Sequence, residues 1–151
     1  MVSKNNMDNR KHSIDQTYLR LAHVWAHDRS HCVRKKVGAF VVKDQQIIAD
    51  GYNGMPKGYD NMCELPGQDV SNPLVLHAEA NALAKIGKST QSSIGATLYL
   101  TLSPCLECSK LIVQHEIARV VYSEEYRITD GLDLLKKSGI KVEHIPTEMP
   151  K

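Results

Sequence analysis

The chain reads as an α/β protein of three layers, with helices on both faces of a mixed sheet. Three observations predict it. From His77 to Ile145, segments with helical apolar spacing alternate with short apolar runs, an order that implies right-handed crossovers and parallel pairing. Ahead of them, the apolar runs Val37–Val42 and Ile47–Tyr52 flank Lys43-Asp44-Gln45-Gln46, which predicts a hairpin and therefore antiparallel pairing. The 151 residues fit one domain, 1–151, able to bury roughly two thirds of its unfolded surface.

The first dozen residues are polar and are expected to fray. Between Ser13 and Asp28 the residues Ile14, Tyr18, Leu21, Ala22 and Trp25 recur at helical spacing, with Ser13 as N-cap. The hairpin strands follow. Glycines and prolines then dominate from Gly51 to Pro73 and no period survives; a loop that long in a compact domain usually carries function. The remaining elements are a helix from about His77 to Ile86, a strand Thr97–Thr101, a helix Cys105–Gln114, a strand Arg119–Ser123, a helix Asp130–Ser138 and a strand Lys141–Ile145. Five strands result.

Formal charge is only +2, and lysines and arginines are scattered. That argues against a nucleic-acid partner, which calls for a concentrated basic face, while leaving room for a small anionic substrate. No apolar run approaches the roughly 18 residues of a membrane span, and the polar start Met1-Val2-Ser3-Lys4-Asn5-Asn6 is not a signal peptide. The expected compartment is the cytoplasm, or a host cytoplasm for a viral source. There Cys32, Cys63, Cys105 and Cys108 are expected reduced, with metal binding ahead of disulfides.

The chemistry concentrates in His77-Ala78-Glu79 and Pro104-Cys105-Leu106-Glu107-Cys108. One imidazole and two thiolates hold Zn²⁺ with a fourth position open, the pattern of a catalytic rather than a structural site. Both segments fall at expected helix starts, where the dipole favours thiolates, and the i,i+3 spacing of Cys105 and Cys108 puts both sulfurs on one side of a turn. Glu79 is placed to move protons rather than bind metal: from an activated water to a ring nitrogen, then to a departing amine. The arrangement H-x-E…P-C-x-x-C is the signature of zinc nucleobase deaminases.

These motifs, with Val37-Gly38-Ala39, Gly51-Tyr52-Asn53-Gly54-Met55-Pro56-Lys57-Gly58 and the stretch from Val121-Tyr122 to Tyr126-Arg127, resemble the deoxycytidylate (dCMP) deaminases of the cytidine deaminase superfamily. The similarity runs from about Tyr18 to Ile145. It implies a cytidine deaminase-like fold with a five-stranded mixed sheet, and zinc-dependent conversion of dCMP to dUMP and ammonia, feeding thymidylate synthesis. Asn53 would then hydrogen-bond the base or sugar and Tyr126 stack on the pyrimidine, in a pocket shared with Val37 and Ala78. The phosphate would find cations among Arg29, Arg34, Lys35, Lys36 and Arg127; Arg34 and Lys36 lead if a strand begins there. The resemblance further implies a homohexamer that dCTP with Mg²⁺ activates and dTTP inhibits. Effectors would bind at Asp50, Gly51, Tyr52, Asn53, Gly54 and Lys57, the glycines presenting backbone N–H groups to phosphates.

Some relatives carry a second, structural zinc near Cys32 and Cys63. Here only His31 and His12 offer further ligands, so two reduced cysteines are expected instead. Two other activities stay open: the same chemistry on a free nucleoside or a tRNA base, and a zinc-stabilised module without catalysis. Glu79 speaks against the last, since a structural site has no use for that carboxylate.

Overall fold

A computed structural model describes residues 3–68 and 70–149. Its elements are α1 (Lys4–Arg29), β1 (Gly38–Lys43), β2 (Gln46–Tyr52), α2 (Ala78–Gly87), β3 (Thr97–Leu102), α3 (Leu106–Gln114), β4 (Arg119–Glu124), α4 (Asp130–Lys137) and β5 (Lys141–His144). The strand order is β2-β1-β3-β4-β5. β1 is antiparallel to both β2 and β3, and β3, β4 and β5 are mutually parallel. The expected mixed, five-stranded α/β fold is therefore present. At the hairpin, Asp44 and Gln45 both lie in the left-handed region, φ 51° and 62°, as a two-residue turn between twisted strands requires.

Strand period two sorts the core. Ala39, Val41, Leu98, Leu100, Val120 and Tyr122 point to the face covered by α2, α3 and α4. Phe40, Val42, Tyr99 and Val121 point to the face covered by α1. Among the described residues, no helix is long and apolar enough to cross a membrane.

The first helix corrects the sequence expectation. It starts at Lys4, where Ser3 Oγ accepts the Asn6 N–H at 3.3 Å, so Ser13 is internal and the segment expected to fray is helical. Residues 3–14 are all exposed, and an exposed segment leaves no apolar period to read. Further along, α1 seats Leu19 and Ala22 on the sheet. It also buries Asp15, whose carboxylate accepts from Tyr99 Oη at 2.6 Å and from Arg119 at 2.7 and 3.0 Å. Arg119 Nε also donates to Glu143 at 2.9 Å. This network ties α1 to three strands.

Two glycines let helices approach the sheet. A Cβ on Gly38 would sit 2.0 Å from the Ala22 carbonyl oxygen of α1, and one on Gly51 would sit 2.2 Å from that of Ala78. The second contact fixes where α2 begins, and His77 and Glu79 stand at that beginning.

Candidate active site

The N-termini of α2 and α3 converge at the ends of β2 and β3. His77 is the N-cap of α2 and Cys105 the N-cap of α3, so each helix begins one position after the expected start. Cys105 Sγ accepts the Cys108 N–H at 3.4 Å. His77 Nδ1 lies 3.4 Å from Cys105 Sγ and 3.3 Å from Cys108 Sγ, and the three ligand atoms all fall within 4.8 Å of one another. A tetrahedral ion with Zn–S about 2.3 Å and Zn–N about 2.0 Å would separate nitrogen and sulfur by about 3.5 Å. The donor set therefore fits Zn²⁺ in kind and spacing, and it is the one such cluster found among the described residues. Donation from Cys108 pulls the Cys105 pKa down to about 4, and the same contact pushes Cys108 up.

Glu79, in the first turn of α2, is 4% exposed. Burial raises its pKa above the ordinary glutamate range. It lines a cavity of about 570 Å³ together with His77, Cys105, Val37, Ala78, Asn53 and Tyr126. All the base-pocket candidates thus meet in one space with the metal cluster.

Asn53 is committed to the chain itself. Its Oδ1 accepts from Val37 N and Ser30 Oγ, both at 2.8 Å, and its Nδ2 donates to Lys35 O at 2.7 Å. It builds the cavity wall by holding residues 35–37 in place. Tyr126 is positioned by Ser103 Oγ, which accepts its N–H at 2.7 Å; the Arg127 guanidinium lies 5.9 Å from the Tyr126 ring centre.

The expected cation pair is altered. Arg34 and Lys35 line the exposed end of the cavity, whereas Lys36 turns away and donates to the Ser30 carbonyl. β1 begins only at Gly38, so strand alternation does not apply to residues 34–36. Arg29 lies outside the cavity, over the rings of Trp25 and Tyr52.

At the expected phosphate cradle, two of the backbone N–H groups are already bonded within the chain. Asn53 N donates to Val37 O and Gly54 N to Leu76 O, and Gly51 and Tyr52 pair with β1. The absence of a side chain at Gly51 serves the packing of α2. Asp50 accepts from Trp25 Nε1 and Lys85 Nζ, each at 2.8 Å, and Lys57 is exposed.

Cys32 and Cys63 are neither free nor metal ligands: they form a disulfide, Cα–Cα 5.0 Å. The long loop folds back on residues 30–34, bringing together two cysteines that the cytosolic argument kept apart. Neither His12 nor His31 joins a metal cluster with them.

The same fold-back brings in residues that sequence reasoning missed: Glu64, Ser71, Asn72, Pro73 and Val75 line the cavity. Glu64 Oε1 accepts the N–H groups of Val33 and Arg34, both at 2.9 Å. These residues lie in a stretch without period, and only the length of the loop marked it.

A family model described as the cytidine and deoxycytidylate deaminase zinc-binding region matches residues 12–124. The chain is 38% identical over 150 residues to the deoxycytidylate deaminase of Saccharomyces cerevisiae, covering 92% of this chain and 47% of that protein. It is 40% identical over 124 residues to the deoxycytidylate deaminase of Mycobacterium phage D29, covering 74% of this chain and 94% of the phage protein. The chain thus spans about half the length of the yeast relative and most of the phage one. Among solved structures, the dCMP deaminase of cyanophage S-TIM5, in complex with dCMP and dUMP, superposes with a TM-score of 0.84 at 47% identity. That match covers 88% of this chain and 97% of the phage chain.

Proposed function

Because the chain belongs to the cytidine and deoxycytidylate deaminase family, we propose that it hydrolyses dCMP to dUMP and ammonia. One observation carries this reading. His77 and Cys105 of the cluster they form with Cys108, a buried Glu79 and two exposed cations, Arg34 and Lys35, all border a single cavity.

His77 Nδ1, Cys105 Sγ and Cys108 Sγ would hold Zn²⁺, which when bound acts as a Lewis acid that lowers the pKa of a water from about 16 toward 7. Glu79 takes the proton of the attacking water and delivers it to N3 of the cytosine ring. It then passes the second proton to the exocyclic nitrogen, which leaves as ammonia while C4 keeps the oxygen. Water and dCMP are consumed, and dUMP and ammonia are released. Burial suits Glu79 to this cycle, because a carboxyl whose pKa is raised takes up a proton more readily than a free glutamate does. Val37, Asn53 and Ala78 border the base, and Tyr126 offers its ring for stacking, worth about 1–3 kcal/mol. Arg34 and Lys35 face the phosphate.

The proposal extends to regulation. We place a homo-oligomer, hexameric by family resemblance, under activation by dCTP with Mg²⁺ and inhibition by dTTP. Side chains rather than glycine N–H groups would take the effector phosphates, and the cations clustered at Tyr52 support this: Arg29 and Lys85 each lie 6.0 Å from its ring centre.

The test is steady-state deamination of dCMP and of deoxycytidine, each with and without dCTP. We expect kcat/KM to favour dCMP by at least about a hundredfold, and sigmoidal saturation to become hyperbolic with dCTP. Equal use of the two substrates would remove the phosphate argument; indifference to dCTP and dTTP would remove the regulatory one.

A further inference from the structure

The exposed end of the cavity is built from two segments outside the named helices and strands, residues 30–36 and the described residues 61–68 and 70–76. A phosphate-binding arginine on such a loop needs something to hold it. Two ties are present. Cys63 is bonded to Cys32, and the next residue, Glu64, reaches the same loop, its Oε1 accepting both the Val33 and the Arg34 N–H at 2.9 Å. Glu64 is itself presented by a small hairpin, in which it bridges to Ser71 and Leu65 N donates to Val70 O at 2.8 Å. Arg34 Nη1 points back across the gap to Ser71 Oγ at 3.4 Å. The carboxyl of Glu64 lies below the ordinary glutamate range, chiefly because the Arg34 N–H bonds to it.

A bare carboxylate beside a phosphate site would repel the ligand. One that accepts two backbone N–H groups instead fixes the chain that carries the cation. We propose that Glu64 is a positioning residue for substrate specificity. By holding the Val33–Arg34 backbone it sets the Arg34 guanidinium at the phosphate end of the cavity, so that a 5′-monophosphate is preferred over the free nucleoside. This rests on the dCMP reading above.

The experiment compares dCMP with deoxycytidine in the full chain with zinc bound, for Glu64→Ala, Glu64→Gln, Arg34→Ala and the Glu64→Ala/Arg34→Ala double variant. Glu64→Ala removes the acceptor and should raise KM for dCMP about tenfold with kcat within about twofold, and leave KM for deoxycytidine in place. Glu64→Gln keeps an acceptor oxygen and loses the charge, so it should retain the wild-type KM. In the Arg34→Ala background, Glu64→Ala should add nothing, since its effect passes through Arg34.

The inference is overturned if Glu64→Ala raises KM for both substrates alike, if Gln behaves as Ala does, or if the two single effects add. Should Glu64→Ala fail to fold, the Gln variant and its pairing with Arg34→Ala decide the matter, because a repulsive carboxylate would show there as a lowered KM for dCMP. A wild-type enzyme that ignores the phosphate would defeat the dCMP reading itself. One that prefers dCMP by the same ratio after Glu64→Ala would defeat only the role of Glu64.

Discussion

The two faces of the sheet bury carboxylates for opposite ends. Under α1, Asp15 and Glu143 share Arg119, and Asp15 also takes the Tyr99 hydroxyl. Arg119 donates to Glu143 and holds its pKa at about 2. On the opposite face, Glu79 is as buried as Asp15 but faces the His77 cluster rather than an arginine, and desolvation, the largest effect on it, drives its pKa up although His77 pulls the other way. A paired carboxylate is locked in its charged form and contributes to stability. One whose desolvation outweighs its charge partners sits closer to neutrality and is suited to exchange a proton with a bound molecule.

The largest effect that tests this contrast is on turnover. Glu79→Ala should lower kcat for dCMP by about 10²–10⁴-fold, the usual weight of a general acid–base group. Zinc content by atomic absorption should be unchanged and the melting temperature not reduced, since the change deletes a buried carboxyl whose charged form desolvation disfavours. A variant that kept near-wild-type kcat, or that lost its zinc, would break the assignment.

Asp15→Ala should do the reverse. It removes one of the two carboxylates on Arg119, which is only 15% exposed and keeps its bond to Glu143, and it takes the acceptor from the Tyr99 hydroxyl; leaving buried donors unsatisfied costs about 1–3 kcal/mol. Denaturant unfolding should show that loss, while kcat per folded molecule stays near wild type. If kcat fell in proportion to stability, the two faces would not be independent.

Gly51→Ala probes the seat of α2. The added methyl would sit 2.2 Å from a backbone carbonyl oxygen and 2.7 Å from Ala82 N, neither of which moves without shifting the helix. Overpacking of this kind costs about 1–3 kcal/mol. Because His77 and Glu79 open α2, kcat should fall along with stability, unlike in Asp15→Ala. Unchanged kcat at reduced stability would show that the helix start absorbs the displacement.

The faces also differ in what the sequence disclosed. The metal cluster and Glu79 were legible because a short local pattern, H-x-E with P-C-x-x-C, sits at helix starts whose apolar period is plain. The strands were legible because both faces are covered, so period two sorts Ala39 and Val41 from Phe40 and Val42. The Asp15–Arg119 pair was not, because the partners lie 104 positions apart and no local rule joins them. The cavity mouth was not, because Cys32, Cys63 and Glu64 meet only through the fold-back of an aperiodic loop. The choice of Lys36 over Lys35 failed for a related reason: strand alternation was applied to a segment that is not strand.

The smallest effect separates the faces by pH. Glu143 has a folded pKa of about 2, depressed below its unfolded value by the bond from Arg119. Its contribution to stability is therefore complete above the ordinary glutamate range and disappears as pH falls through that range toward about 2. Glu143→Gln keeps an acceptor for Arg119 but has no charge to lose. The gap in melting temperature between wild type and Glu143→Gln should be present at neutral pH and close progressively on acidification. Glu79, shifted in the other direction, would give a gap of the opposite sign, its Gln variant being the more stable at neutral pH. A gap that stayed constant down to acid pH would mean that packing of the side chain, not its charge on Arg119, is what β5 supplies to this face.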